Sequence, residues 1–222
     1  MALRHPRGIS SVGRAREWHS RGRGFESLIL HISPFFHKAL KIISGGQTGA
    51  DRAGLDVAIA LGIPHGGWCP KGRRAEDGAI PAYYRMEETE TDEYPERTGR
   101  NVESSDGTVV FTRGEPRGGS ALTLALARKR HKAALHVDLS RGTPVEIAAA
   151  VRAFVDEKGI SVLNVAGSRE GESPGIHAAV LAILREALRP GAPAPASVQG
   201  RLFRTEQVKG ARNSFGANDP RI

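Results

Sequence analysis

The 222-residue chain has a single cysteine, Cys69. That excludes an intrachain disulfide and a cysteine-cluster metal site, and it fits a reducing, cytoplasmic setting. No apolar run approaches the roughly 18 residues needed to cross a bilayer, so a soluble protein with no membrane contact is expected. Neither G-x-G-x-x-G nor the P-loop pattern is present, so neither NAD nor Walker-type ATP binding follows. No His, Cys or carboxylate pair shows metal spacing. His65 and His136 read as structural, and Cys69 as a small buried hydrophobe. Methionine is also absent between Met1 and Met86.

Charge is abundant, and its placement decides what it means. A formal net charge of +8 invites a nucleic-acid reading. Residues 1–40 hold seven Lys or Arg against two acids, and residues 189–222 hold six against two. The stretch 41–188 is left with 19 bases and 20 acids, so the basic excess belongs to the tails and nucleic acid is disfavoured as a partner. About 150 residues suit one globular domain with a sizeable core. The Pro-, Gly- and Ala-rich tail 189–222 reads as linker or disorder. The stretch from Ser10 to Leu28 resembles a translated transfer-RNA gene, whose T-loop sequence reads out as Gly-Phe-Glu-Ser, found here at 24–27. Residues 1–40 are therefore expected to be disordered or to come from a start codon assigned too far upstream, with the domain beginning from a codon such as that of Leu40. A transit peptide and a basic nucleic-acid-binding arm remain open.

Between the tails, strand and helix patterns alternate. Strands are expected at 42–44, 66–69, 108–111, 134–137 and 161–165, and helices at 50–61, 93–103, 120–130, 145–158 and 176–188. The apolar strands are too uninterrupted for a one-sided sheet. They imply an α/β domain, a parallel sheet with helices on both faces. Ligands of such folds bind beyond the carboxyl ends of the strands.

Glycines cluster at those ends. Lys41-Ile-Ile-Ser-Gly-Gly-Gln-Thr-Gly-Ala-Asp51 is a short strand breaking into a glycine-rich turn that opens a helix. Helix N-termini carry unpaired N–H groups and partial positive charge, so an anion docks there without a charged side chain. Gly45, Gly46 and Gly49 permit unusual backbone angles and close ligand approach. Gln47 and Thr48 add donors, and Asp51 stands where a helix cap or a ligand acceptor belongs. Gly46 in particular is expected to meet the ligand, so that Gly46→Val would damage binding. A second glycine pair with a hydroxyl cap, Gly118-Gly119-Ser120, precedes the helix after 108–111. A third loop, after 161–165, contributes Asn164, Gly167 and Arg169 as a polar orienting group, a close-approach glycine and an anion clamp. Three such loops converging on one edge point to a phosphorylated ligand.

The fourth element is His65-Gly-Gly-Trp-Cys-Pro-Lys-Gly-Arg-Arg-Ala-Glu-Asp-Gly78. Lys71, Arg73 and Arg74 form either an arm over the phosphate or a solvated turn with weak ion pairs. Trp68 either stacks on a heterocycle or belongs to the core.

These stretches, together with His136-Val-Asp-Leu139 and Asn164-Val-Ala-Gly167, resemble the putative molybdenum carrier family across 41–188, and neither tail takes part. The resemblance implies a Rossmann-like fold, homo-oligomers, and binding of molybdenum cofactor (molybdopterin), a phosphorylated pterin that holds the metal through a dithiolene. A nucleotide is the alternative ligand. The group is in turn similar to the lysine decarboxylase-like, cytokinin-activating phosphoribohydrolases and to DNA-processing Rossmann proteins. Those hydrolases place a Glu a few residues into the helix after their glycine loop, and Gly118-Gly-Ser-Ala-Leu-Thr-Leu-Ala-Leu126 has no acid there. Glycosidic hydrolysis needs a carboxylate. A binding or carrier protein is therefore favoured over a nucleoside monophosphate hydrolase, which would have to use Asp51, Glu76 or Asp77.

Overall fold

The computed structural model describes residues 40–190, so the expectations for residues 1–39 and 191–222 lie outside the described residues. Five parallel strands form the main sheet: β1 (Lys41–Ser44), β2 (His65–Gly66), β7 (Gly107–Thr112), β8 (Ala133–Asp138) and β9 (Val162–Gly167), in the order β2-β1-β9-β7-β8. Helices α1 (Ala50–Ala60), α4 (Pro144–Glu157) and α5 (Ile176–Leu188) pack on one another as one layer. The pair α2 (Tyr94–Glu103) and α3 (Gly118–Lys129) forms the other. This is the parallel α/β sheet covered on both faces that the alternation implies, in the Rossmann-like single domain that the resemblance implies.

Every residue of β7 is buried, which is why Gly-Thr-Val-Val-Phe-Thr reads as unbroken rather than alternating. Val109, Phe111, Leu135, Val137, Leu163 and Val165 form the centre of the main core. Each such side chain contributes about 1.5–3 kcal/mol relative to an exposed one. The start of α4 is fixed by a capping box, with Thr143 accepting from the Glu146 N–H, Glu146 accepting from the Thr143 N–H, and Pro144 in the first turn.

Between β2 and α2 the chain leaves the sheet, and here the sequence reading needs correction. Residues 66–69 are not one strand. At Gly67 the backbone turns with φ 126°, and a Cβ there would lie 2.1 Å from the Ser44 carbonyl oxygen. That approach is open only to glycine. It ends β2 beside β1 and sends β3 (Trp68–Cys69) away to pair with β6 (Glu87–Glu88). A 3-10 turn at Lys71–Arg73 leads into the tight hairpin of β4 (Arg74–Ala75) and β5 (Gly78–Ala79). The excursion shares a small second core with α1: Cys69, Ile80 and Tyr84 cluster with Leu55 of that helix, with Met86 against them.

Candidate functional site

After β1 and β9 the chain turns to the α1/α5 layer, whereas after β7 it turns to the opposite layer through α3. Loops that part in this way leave a crevice beyond the strand ends. A cavity of about 220 Å³ occupies it. Gly45 and Gln47 reach it from the first loop, Gly119 and Ser120 from the start of α3, and Asn164, Gly167 and Arg169 from β9 and beyond. The three glycine loops therefore do meet at one edge.

Their donors are not used as the sequence suggested. Three N–H groups around the start of α1 are taken up inside the protein. Gln47 donates to the Asp51 carboxylate (3.4 Å), Thr48 to Gln47 Oε1 (3.1 Å) and Ala50 to the Ser168 carbonyl (3.2 Å). Asp51 is not the cap of α1, because Gly49 stands at that position and Asp51 lies in the first turn. The start of α3 differs. Arg117 caps it without a side-chain bond, and Ser120 lies inside the helix rather than capping it. A Cβ on Gly118 or Gly119 would meet nothing within 4 Å. An open, uncapped terminus facing a cavity is the feature that attracts an anion, and it belongs to the second glycine pair, not the first.

Two buried groups reinforce it. Gln47 is 5% exposed, and its side-chain Nε2 has no hydrogen-bond partner. Arg97, on α2, donates from Nη1 to Asp51 Oδ2 at 2.9 Å, while its buried Nε has no partner. Unsatisfied buried donors are costly, so they mark a place where a partner belongs. Burial pushes the Asp51 carboxyl above its ordinary range, opposed by the Arg97 charge and the Gln47 N–H. Asn164 is buried with its Nδ2 donating to Thr108 Oγ1 at 3.2 Å, an arrangement the β9–β7 register sets by pairing the two residues. Arg169 pairs with Glu172 at 3.5 Å, and Glu172 also lines the cavity.

The remaining expected residues have other surroundings. A Cβ on Gly46 (φ 71°) would meet Met86 Sδ at 2.7 Å and Ile80 Cδ1 at 3.0 Å, so its bareness serves packing and not a ligand. At Gly49 the same test meets the Ser168 carbonyl oxygen at 2.5 Å, where the first and third loops touch. Gly167 allows an equally close approach, to the Phe111 carbonyl oxygen at 2.1 Å. Thr48 bonds Glu76 and lines a separate shallow cleft. The arm at Lys71–Arg74 does not line the cavity. Arg73 braces the excursion through the carbonyls of Ile80, Pro81 and Tyr84, Arg74 pairs with Asp92, and Lys71 is exposed. Trp68 lies under the Arg100 guanidinium, 4.7 Å from Cζ to ring centre, and not in the cavity. Of the three candidate carboxylates, Asp51 lines the cavity and Glu76 and Asp77 line the shallow cleft.

The sequence reading missed α2 altogether as a source of site residues. Tyr94, Arg97, Thr98 and Asn101 all line the cavity. Their spacing of three to four residues was the available signal, since it places them on one helix face. The aromatic of the site is Tyr94, with the Arg97 and Arg169 guanidinium carbons 5.6 and 5.8 Å from its ring centre.

Sheet order and crevice define a Rossmann-like domain with a cavity at the carboxyl edge of its sheet. The chain belongs to the circularly permutated YpsA SLOG family, whose model matches residues 42–188. It is also similar to a crystal structure named as a putative molybdenum carrier protein from Syntrophus aciditrophicus SB. The two share 47% sequence identity over 68% of this chain and 96% of the other, with a TM-score of 0.67. Among curated proteins none matches the chain significantly.

Proposed function

We propose that the cavity holds a phosphorylated small molecule with its phosphate at the start of α3, and that the chain acts as a binding or carrier protein. One observation carries this reading: the uncapped start of α3 reaches the cavity at Gly119 and Ser120, and the same cavity is lined by Gln47, whose buried Nε2 has no partner. The Arg97 guanidinium and the half-exposed Arg169 supply positive charge around it. Tyr94 and Asn164 flank the remaining volume with an aromatic face and a fixed amide, as a flat heterocycle requires.

The name carried by the related crystal structure supports a phosphorylated pterin of the molybdenum-cofactor type, and a nucleotide shares the same chemistry. The donor set fits the phosphate. Among the described residues no cluster of His, Cys, Asp or Glu is placed to hold a metal, so this chain would grip the phosphate and pterin while the dithiolene keeps the metal. Self-association, which the family resemblance implies, is read by sedimentation. Among the described residues no helix is long and apolar enough to cross a membrane.

Thermal-shift titration with molybdopterin, AMP, GMP and ADP-ribose tests the reading. A ligand at 100 times its Kd stabilises by about 2.7 kcal/mol, a rise of roughly 5–10 °C for a domain of this size. No rise with any of the four rules out the phosphate site. The placement of Asp51 in the cavity favours a second reading, hydrolysis of a nucleoside monophosphate with Asp51 as the carboxylate. Chromatography for released base, with turnover abolished in Asp51→Asn, distinguishes it from a carrier.

A further inference from the structure

Glu76 and Asp77 form the two-residue tip of the β4–β5 hairpin, and both reach back to the first glycine motif. The Asp77 carboxylate takes Nη1 and Nη2 of Arg52 at 2.5 and 2.7 Å. Glu76 Oε1 accepts from the Thr48 hydroxyl and from the Gly171 N–H, the latter at 3.0 Å. The Glu76 backbone N–H donates in turn to Gln47 Oε1 at 2.9 Å, and that oxygen also accepts from the Thr48 N–H. Two donors converging on one end of the carboxamide fix that end as oxygen. The other end, Nε2, is then held without a partner at the cavity that Gln47 lines.

We propose that Glu76 is the positioning residue of the ligand site, an inference that rests on the phosphate reading above. The hairpin tip is exposed and has no core of its own. Its carboxylate ties it to Thr48 and Gly171, so that its own N–H stays on Gln47 Oε1 and aims Nε2 at the anion. Two long motifs that each looked like a ligand loop therefore interlock. One presents a donor, and the other holds that donor's orientation from outside the cavity.

A double-mutant cycle tests this, with calorimetric titration of AMP and of inorganic pyrophosphate into the full chain. Gln47→Ala and Glu76→Ala should each weaken binding roughly tenfold or more, the scale of one hydrogen bond to a charged group. Glu76→Ala should add nothing in the Gln47→Ala background, because its effect runs through Gln47. Glu76→Gln keeps an acceptor oxygen for Thr48 and Gly171 and should bind within about threefold of wild type. Equal losses from Glu76→Ala in both backgrounds, or no loss in either, overturn the proposal. A ligand-free readout accompanies it. The side-chain amide resonances of Gln47 should move and gain fast mobility in Glu76→Ala, and an unchanged amide signal overturns the proposal too. If neither probe binds wild type, the phosphate reading fails, and the amide spectrum still decides the role of Glu76.

Discussion

Gly45→Ala separates ligand chemistry from folding at the first glycine motif. The Gly45 backbone does not have a positive φ, so alanine fits its conformation. A Cβ there would lie 1.3 Å from Arg97 Nη1 and 2.4 Å from its Cζ, and no backbone atom is among its nearest neighbours. The guanidinium must leave, and with it the 2.9 Å bond to Asp51. Outright loss of one partner of a buried pair costs about 3–5 kcal/mol. Here the arginine can be rehydrated and the carboxyl can take up a proton, so stability should fall by only about 1–3 kcal/mol. Anion affinity loses one charge-assisted hydrogen bond, about 1.5–3 kcal/mol or roughly 10- to 150-fold. Gly46→Ala is the contrasting variant. Its φ of 71° and the Met86 contact cost about 1–3 kcal/mol of stability, with affinity unchanged in the folded fraction. Urea denaturation and AMP titration read the two quantities separately. Wild-type affinity in Gly45→Ala, or a full additional loss from Arg97→Ala in that background, refutes the assignment of Gly45 as the cradle of Arg97.

Three further outcomes follow from the same geometry. Gly119 lies in the first turn of α3 with open space beyond it, so Gly119→Ala should gain about 0.5 kcal/mol of stability while Gly119→Leu folds but blocks the probes; loss of folding in Gly119→Leu would contradict the open terminus. Arg73→Ala removes bonds to three carbonyls and should cost about 1–3 kcal/mol of stability with no change in anion affinity, measured on the folded protein. The folded-state pKa of Asp51 is raised above its ordinary 3.8, so its contribution to stability is full below that value and is lost as pH rises through the raised pKa. The stability of Asp51→Asn relative to wild type should therefore improve as pH increases from about 4, and urea midpoints that diverge in the opposite sense would show that the Arg97 charge outweighs burial.

The legible part of the site was local. Glycine and hydroxyl residues at a strand-to-helix junction report backbone demands that need no distant partner, and the three loops they mark do share one edge. Arg97 could not be found in this way, because its role depends on α2 crossing over Gly45, a residue 52 positions earlier. Lys71, Arg73 and Arg74 were over-read for the opposite reason. Charge in a sequence carries no direction, and the fold turned these side chains onto carbonyls, an acid and solvent.

Uninterrupted apolar runs separated by helical periods determined on their own that the chain would build a covered parallel sheet, since each run had to be buried on both faces. The same pattern placed the glycine-rich loops beyond the strand ends, where the cavity lies. Only the tertiary structure decided which helix terminus stays open. The loop after β9 closes the start of α1 through the Ser168 carbonyl, while no side chain caps α3. Whether a backbone N–H is free is a property of what packs against it, and that partner lies more than a hundred residues away in the chain.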